Sequence, residues 1–467
     1  MGGPPGWGGR GAAGASKDQN VRGATPLVAL SSGRRYRRIK GLGRMSSILT
    51  NNGAMVALQT LKSINANLAK TQDMISTGKS VATARDNSAV WAISKVMESD
   101  VQGFKGIADS LALGSSTVAV GRQAAETVTD LLTQMKEKIV AAQEQNVDRG
   151  KIQTDIVALR NQINSVVNAA QFNGLNLLSN SATTAGSGTV NVLSSLDRSG
   201  TGVTAANIGV KKQDLTTKAS AVVGGTVANL TPAVTLNATQ TGTLAVTAPT
   251  GAGQIFSIGV TATDADSSKF VAANYTTGAT AADAQKVMYI ARDGDTTADI
   301  AKGLAQAWSI YAAANDLSSD VLSITASGGN LSIRSNVTDG TDTVAVRIDT
   351  LNAPTSVTIG GGLERINSFN VTTDAGARTA LAAVEFMIQT SVDSAAAFGS
   401  VQGRIDTQAK FVSALTDALK SGIGTMVDAN MEEASARLQA LQVQQQLGIQ
   451  ALSIANQAPQ NILALFR

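Results

Sequence analysis

Two apolar seams with the spacing of long helices sit at opposite ends of this chain, and the segment between them carries neither. Near the N-terminal end, Ala57, Leu61, Ile64, Leu68, Thr71 and Ile75 follow one another at alternating steps of four and three. That spacing lays one apolar stripe along a helix. Gly78 comes where a left-handed residue would end it. A second helix is predicted on Leu111, Val118, Ala125, Leu132 and Ile139 at steady sevens, with Val128, Met135 and Ala142 between. Asp148-Arg149-Gly150 reads as a turn. A third helix then carries Ile152, Ile156, Leu159, Ile163 and Val166, until Asn173-Gly174 breaks the pattern. The spacing returns from Leu381 through Val384, Ile388, Phe398, Ile405 and Val412 to Leu419. After Gly422-Ile423-Gly424 the register changes to Val427, Met431, Ala434, Leu438, Leu441, Gln445 and Leu452. Two glycines at a register change predict a joint between two helical segments.

Between about 180 and 365, short runs rich in Thr, Ser, Gly and Val alternate with turn signals, which predicts strands. Examples are Thr189 to Leu193, Thr243 to Thr247, Leu322 to Thr325 and Thr343 to Ile348. One helix interrupts them, from Thr296 to Asn315, with Ile300, Leu304, Trp308 and Tyr311 on one face. The chain is therefore expected to be mainly α with a β-rich inserted region. Its N- and C-terminal segments form an antiparallel long-helix bundle, and a variable α+β outer region is inserted between them.

Composition narrows the chemistry. The 467 residues contain no His and no Cys. Ser–His and Cys–His nucleophiles, His-ligated zinc and disulfides are thereby excluded. No catalytic site, cofactor or metal is expected. Residues 1–44 hold nine Lys/Arg and one acid, so the net positive charge of the whole chain belongs to that leader and the remainder is net −4. Neither nucleic acid nor a membrane is an expected partner, because stacking aromatics are scarce and no apolar run approaches the roughly 20 residues that span a bilayer. The leader reads either as a basic arm or, the reading adopted, as translated sequence upstream of a start at Met45. Helical pattern begins just after that residue, and the Lys40-Gly41 codons are purine-rich.

Several motifs at the two ends resemble one family. Met45-Ser46-Ser47-Ile48-Leu49-Thr50-Asn51-Asn52, continuing to Ile75-Ser76-Thr77-Gly78-Lys79, is similar to the start of a bacterial flagellin. Ala170-Gln171-Phe172-Asn173-Gly174-Leu175-Asn176-Leu177-Leu178 resembles that family's signature after its third helix. Ser453 to Leu463 and the final Phe466-Arg467 resemble its ending. The resemblance covers roughly 45–180 and 370–467. Two departures stand out: the leader is foreign to the family, and Arg85 and Trp91 interrupt the small-residue run Ala82 to Ala92.

The resemblance implies a structural subunit that polymerises into the flagellar filament for motility. It divides the chain into a leader (1–44), an N-terminal filament-core helix and connector (45–85) and the N-terminal half of a helical shell (86–185). A variable outer region (186–364), the C-terminal shell half (365–426) and a C-terminal filament-core helix (427–467) follow. The terminal helices are expected to line a central channel, and to be disordered in the monomer until assembly. The assembly interface is expected at Leu61, Ile64, Leu68, Ile75, Val427, Met431, Leu438, Leu441 and Leu452. Residues 190–360 are expected to be dispensable for polymerisation.

Implied partners are further copies of the chain, an export chaperone, the filament cap and hook-associated proteins. The flagellin-sensing innate receptor is a further one, with weak stimulation expected because Lys138 stands where the family's stimulatory run has Leu. The implied location is the extracellular filament, reached through the flagellar type III apparatus without a cleaved signal peptide. Sheared filaments are expected to contain subunits lacking residues 1–44, which intact mass would read. A hook–filament junction protein and a flagellin with an adhesive insert are the competing readings.

Other motifs have blander readings. Thr77-Gly78-Lys79-Ser80 resembles the end of a phosphate loop, but Asp73 stands where the first glycine would be and a helix precedes it. Asp264-Ala265-Asp266 and Asp293-Gly294-Asp295 open like calcium loops and lack the later Gly and Glu. The second reads better as a turn and helix cap. The Asn-x-Thr matches at Asn229, Asn237, Asn274 and Asn336 read as chance, and Phe172 as a core anchor.

Overall fold

The structure is a computed structural model that describes residues 51–199, 202–237, 239–265, 270–336 and 341–464. The expected leader, 1–44, lies outside the described residues, as does Asp266 of the first calcium-like run. In chain order the elements begin with α1 (Asn52–Thr77), α2 (Ser88–Ala141), α3 (Arg149–Ala169), β1 (Gln171–Phe172), β2 (Leu175–Asn176), β3 (Thr189–Ser199) and β4 (Gly202–Lys211). There follow β5 (Ala221–Val223), β6 (Thr226–Asn229), β7 (Val234–Leu236), β8 (Thr241–Ala245), β9 (Ile255–Thr263), α4 (Ala272–Tyr275), α5 (Ala281–Ala284), β10 (Met288–Ile290) and α6 (Thr297–Ala314). The last are β11 (Leu322–Ser327), β12 (Asn330–Ser335), β13 (Thr343–Asn352), β14 (Ser356–Thr358), α7 (Asp374–Val427) and α8 (Met431–Ala464). The chain divides into two compact units, one of residues 1–73 with 432–467 and one of residues 74–431.

In the larger unit, α2 and α7 are each 54 residues long, about 80 Å at 1.5 Å per residue. They run antiparallel: Arg122 Nε donates to Gln402 Oε1 at 3.1 Å, Thr129 Oγ1 to Ser391 Oγ at 3.0 Å, and Lys136 pairs with Glu385 at 2.5 Å. The heptad positions Leu111, Val118, Ala125, Leu132 and Ile139 are all buried, as are Val384, Phe398, Ile405 and Val412 opposite them. Each large aliphatic side chain so buried contributes about 1.5–3 kcal/mol. This packing sustains helices of that length in a Thr- and Gly-containing sequence that propensity alone would leave marginal. Ile156, Ile163 and Val167 of α3 join the same core.

Three local details depart from the sequence reading. Asp148 is the N-cap of α3, accepting from the Lys151 N–H at 3.1 Å, so Arg149 and Gly150 are the first helical residues instead of a turn. The helix α7 runs unbroken through Gly422 and Gly424, and the joint falls at Asp428–Asn430. Each helical glycine costs only about 1 kcal/mol, whereas Asp428 adopts extended angles (φ −73°, ψ 146°) that end the helix outright. Phe172 is half-buried, and Leu177 and Leu178 just beyond the β1–β2 hairpin are the core anchors. That hairpin turns on Asn173 (φ 51°) and Gly174 (φ 78°), the two left-handed residues a tight hairpin needs.

The shell core also takes in Val192, Ile208, Val210, Leu215 and Leu363. The β3–β4 hairpin therefore packs with the helices, although it lies within 186–364. A Cβ on Gly114 would sit 2.6 Å from Val192 Cγ1, which shows how closely β3 lies on α2.

Beyond the hairpin, two antiparallel sheets, β10-β9-β13-β6 with β7 also on β13, and β11-β12-β8, share an apolar core with α6. The predicted strands and the helix Thr296 to Asn315 are present, with Thr296 as N-cap and Asp299 completing a capping box. The entry and exit of this insert run side by side. The Gly361 N–H donates to Lys218 O at 2.8 Å, Leu363 N–H to Thr216 O at 3.1 Å, and β5 pairs with β14.

Candidate assembly surface

In the smaller unit, α1 and α8 run antiparallel. Asn51 Nδ2 donates to Ala455 O at 2.7 Å, and Gln445 Nε2 donates to Asn65 Oδ1 at 2.7 Å. Gly448 lies against Leu61 and Ile64: a Cβ there would be 3.2 Å from Leu61 Cδ1. Small residues at such positions let two helices approach closely. Asn51 also caps α1, accepting from the Ala54 N–H at 3.0 Å.

The nine expected interface residues fall in three settings. Leu61, Ile64 and Leu68 on α1 and Leu438 and Leu452 on α8 are half-buried, and Leu441 is 7% exposed. Met431 is 43% exposed at the start of α8. Val427, 2% exposed, ends α7, and Ile75 is half-buried; both belong to the larger unit.

A second apolar set was not selected from the sequence. Met55, Val56 and Leu58 on α1, and Val443, Leu447, Ile449 and Ile454 on α8, are each more than half exposed. They lie off the a/d stripe, so a search for one seam passes over them. The signal was nonetheless readable: Val443, Leu447 and Ile454 stand at steps of four and seven in a stretch otherwise rich in Gln and Ala. At that spacing Val443, Leu447 and Ile454 share one face of α8, and an apolar patch that a chain leaves to water marks a site of association.

Within the larger unit, the segment that follows α1 is tied to the one that precedes α8. Gly78 (φ 70°) turns the chain, Ser80 N–H donates to Val427 O at 2.7 Å, and Ala429 N–H donates to Gly78 O at 2.9 Å. Lys79 and Asp428 form a bridge, and Lys79 pairs with Glu98 at 3.6 Å. A hydrogen bond from Lys95 holds the Glu98 carboxyl below its ordinary pKa. The phosphate-loop-like run is therefore part of this joint. The small-residue run after it folds as a turn on Asp86, which accepts from Thr83 N–H at 3.0 Å, and Asn87 caps α2.

Two chain ends that close one long bundle, each continued by a helix with uncovered apolar surface, define a structural subunit made to pack against its own copies. The sequence comparisons make the class specific. Residues 48–183 match the bacterial flagellin N-terminal helical region and residues 381–466 the bacterial flagellin C-terminal helical region. Flagellin A of Rhizobium meliloti is 35% identical over 427 residues, covering 91% of this chain and all of that one. Flagellin FljM of Caulobacter vibrioides is 27% identical over 91% of this chain and 99% of its own length. The solved structure of FliC from Burkholderia pseudomallei overlaps 62% of this chain and 99% of that one at 16% identity and TM-score 0.29, and the family assignment rests on the sequence relatives.

The chain belongs to the bacterial flagellin family. It is a structural subunit of the extracellular flagellar filament, and it assembles with copies of itself.

Proposed function

We propose that polymerisation is driven by the terminal helices through two apolar faces with separate roles. Leu61, Ile64, Leu68, Leu438, Leu441 and Leu452 hold α1 against α8. Met55, Val56, Leu58, Met431, Val443, Leu447, Ile449 and Ile454 meet neighbouring subunits, and Ile75 and Val427 anchor the joint. The exposure of the second set carries this reading. A face that is uncovered in one chain and repeated in every copy supports an open-ended helical polymer. Burial of each large aliphatic side chain supplies about 1.5–3 kcal/mol per subunit added.

The same face gives an export chaperone something to cover before secretion through the type III apparatus, without a cleaved signal peptide. The filament cap and the hook-associated proteins are read as partners at the two filament ends. The flagellin-sensing innate receptor is read as a weak partner through the α2 surface from Gln134 to Val140.

A seeded polymerisation assay on Leu447→Asp tests the proposal. Loss of elongation with unchanged monomer helicity is expected. Elongation at the wild-type rate would mean that this face is not an assembly surface.

A further inference from the structure

Within the larger unit the shell and the insert keep separate apolar cores, and α6 lies at the boundary between them. It runs antiparallel along α7. Lys302 on α6 pairs with Asp393 on α7, and Asp316, just past α6, pairs with Arg378 at 3.8 Å. About fourteen residues separate the two pairs on each side, about 20 Å of helix. Ile300, Leu304 and Trp308 of α6 belong to the insert's own core. Among the described residues, Ile310 is the one α6 side chain packed on the shell core. A crevice follows each flank of the contact. One, of about 230 Å³, takes in Gly303, Ala307 and Met387, and the other, of about 460 Å³, takes in Ser309, Ala313 and Ala382. Gln306 and Phe386 line both, so they mark the narrow line on which the two helices meet.

The ties at the start of α6 differ in kind from those along it. Arg292 lies 3.6 Å from Asp214, whose side chain is 1% exposed, and donates to Gly360 O in the stem at 2.8 Å. Asp293 Oδ2 accepts from Gly188 N–H at 2.6 Å, and Asp293 O accepts from Asn180 Nδ2 at 3.0 Å. Lys211 adds a half-exposed pair with Asp299 at 2.7 Å. Further along, the side chains of Lys302, Asp393, Arg378 and Asp316 are between 41% and 84% exposed. Salt screens exposed pairs and affects buried ones much less. A small, polar boundary within one chain leaves relative motion as the default. Arg378 also lies 3.5 Å from Asp374 of its own helix, so Lys302–Asp393 is the pair to test.

We propose that α6 and the sheets packed on it form a latched arm. The arm pivots at the stem and the Asp293 turn, and Lys302–Asp393 with Arg378–Asp316 hold it closed on α7. Raised ionic strength opens it by screening those exposed pairs, while the buried ties at the pivot persist. The latch uses no residue of the terminal helices.

The chain has no cysteine, so one introduced thiol reports alone. Labelling by a bulky maleimide is followed on full-length monomer, with rates taken relative to the exposed Ser165→Cys on α3. Gln306→Cys is expected to react about tenfold faster in about 1 M NaCl than in about 0.01 M, where the screening lengths are about 3 Å and about 30 Å. Adding Lys302→Glu, which sets two carboxylates against each other, is expected to raise the low-salt rate to the high-salt one. Adding Asp393→Lys as well is expected to restore the slow rate. A salt-independent rate at Gln306→Cys, or no effect of Lys302→Glu, would overturn the latch. Faster labelling of Val128→Cys at high salt would overturn it too, because that side chain is buried in the shell core and reports loosening of the whole bundle.

Discussion

The side-chain amide of Asn51 donates to the backbone carbonyl of Ala455 at 2.7 Å, a contact between residues 404 positions apart. With the Gln445–Asn65 hydrogen bond and the seat of Gly448 on Leu61, it puts α1 and α8 side by side within one subunit. The terminal seams therefore have a use within one subunit.

Leu438→Asp distinguishes the two faces. The half-buried Leu438 lies on the seam of α8 and belongs to no part of the shell core. An unpaired carboxylate there must be desolvated or held protonated. Seeded polymerisation is expected to be abolished, with the melting temperature of the shell unchanged by calorimetry. Leu447→Asp is expected to block elongation as well, while leaving the hydrogen exchange of α1 as in wild type. A shell that melts earlier in Leu438→Asp would show that the terminal helices already stabilise it in the monomer.

Gly114→Ala probes the seat of the hairpin. The added Cβ would meet Val192 Cγ1 at 2.6 Å, too close unless β3 shifts off α2. Overpacking of this kind costs about 1–3 kcal/mol. Calorimetry is expected to show a drop of a few degrees in the shell transition. Gly403→Ala, where nothing lies within 4 Å of the added carbon, serves as the control.

Excision of the insert should respect the core. Cβ of Ser220 lies 2.8 Å from where a Cβ on Gly360 would be, so a short Gly/Ser link can replace residues 221–359. That deletion is expected to leave soluble monomer that polymerises into thinner filaments, seen by electron microscopy. Removing 186–364 instead takes Val192, Ile208, Val210, Leu215 and Leu363 out of the shell core. Core aliphatic losses cost about 2–5 kcal/mol each, so this larger deletion is expected to unfold the shell at room temperature.

On α2, Lys138 is exposed and pairs with Asp155 at 2.7 Å, and Lys136 pairs with Glu385. Purified monomer is expected to stimulate the flagellin-sensing receptor weakly in a reporter cell. Lys138→Leu is expected to raise the signal at least tenfold. Equal signals from the two proteins would place the receptor's contact elsewhere.

The sequence by itself determined the helical ends, the β-rich insert, the heptad residues of the shell and the family. Each of those is written in local periodicity or in short motifs, and a helix buries one face at 3.6-residue spacing whatever it meets. Which apolar stripe would be covered was decided only by tertiary structure. Leu61 and Leu447 look alike in sequence, yet one faces the partner helix and the other water. The same holds for the joint, where helix-interior glycines were tolerated because packing against α2 outweighed their cost. It holds too for the β3–β4 hairpin, which strand pattern assigned to the insert and close approach to Gly114 assigned to the shell.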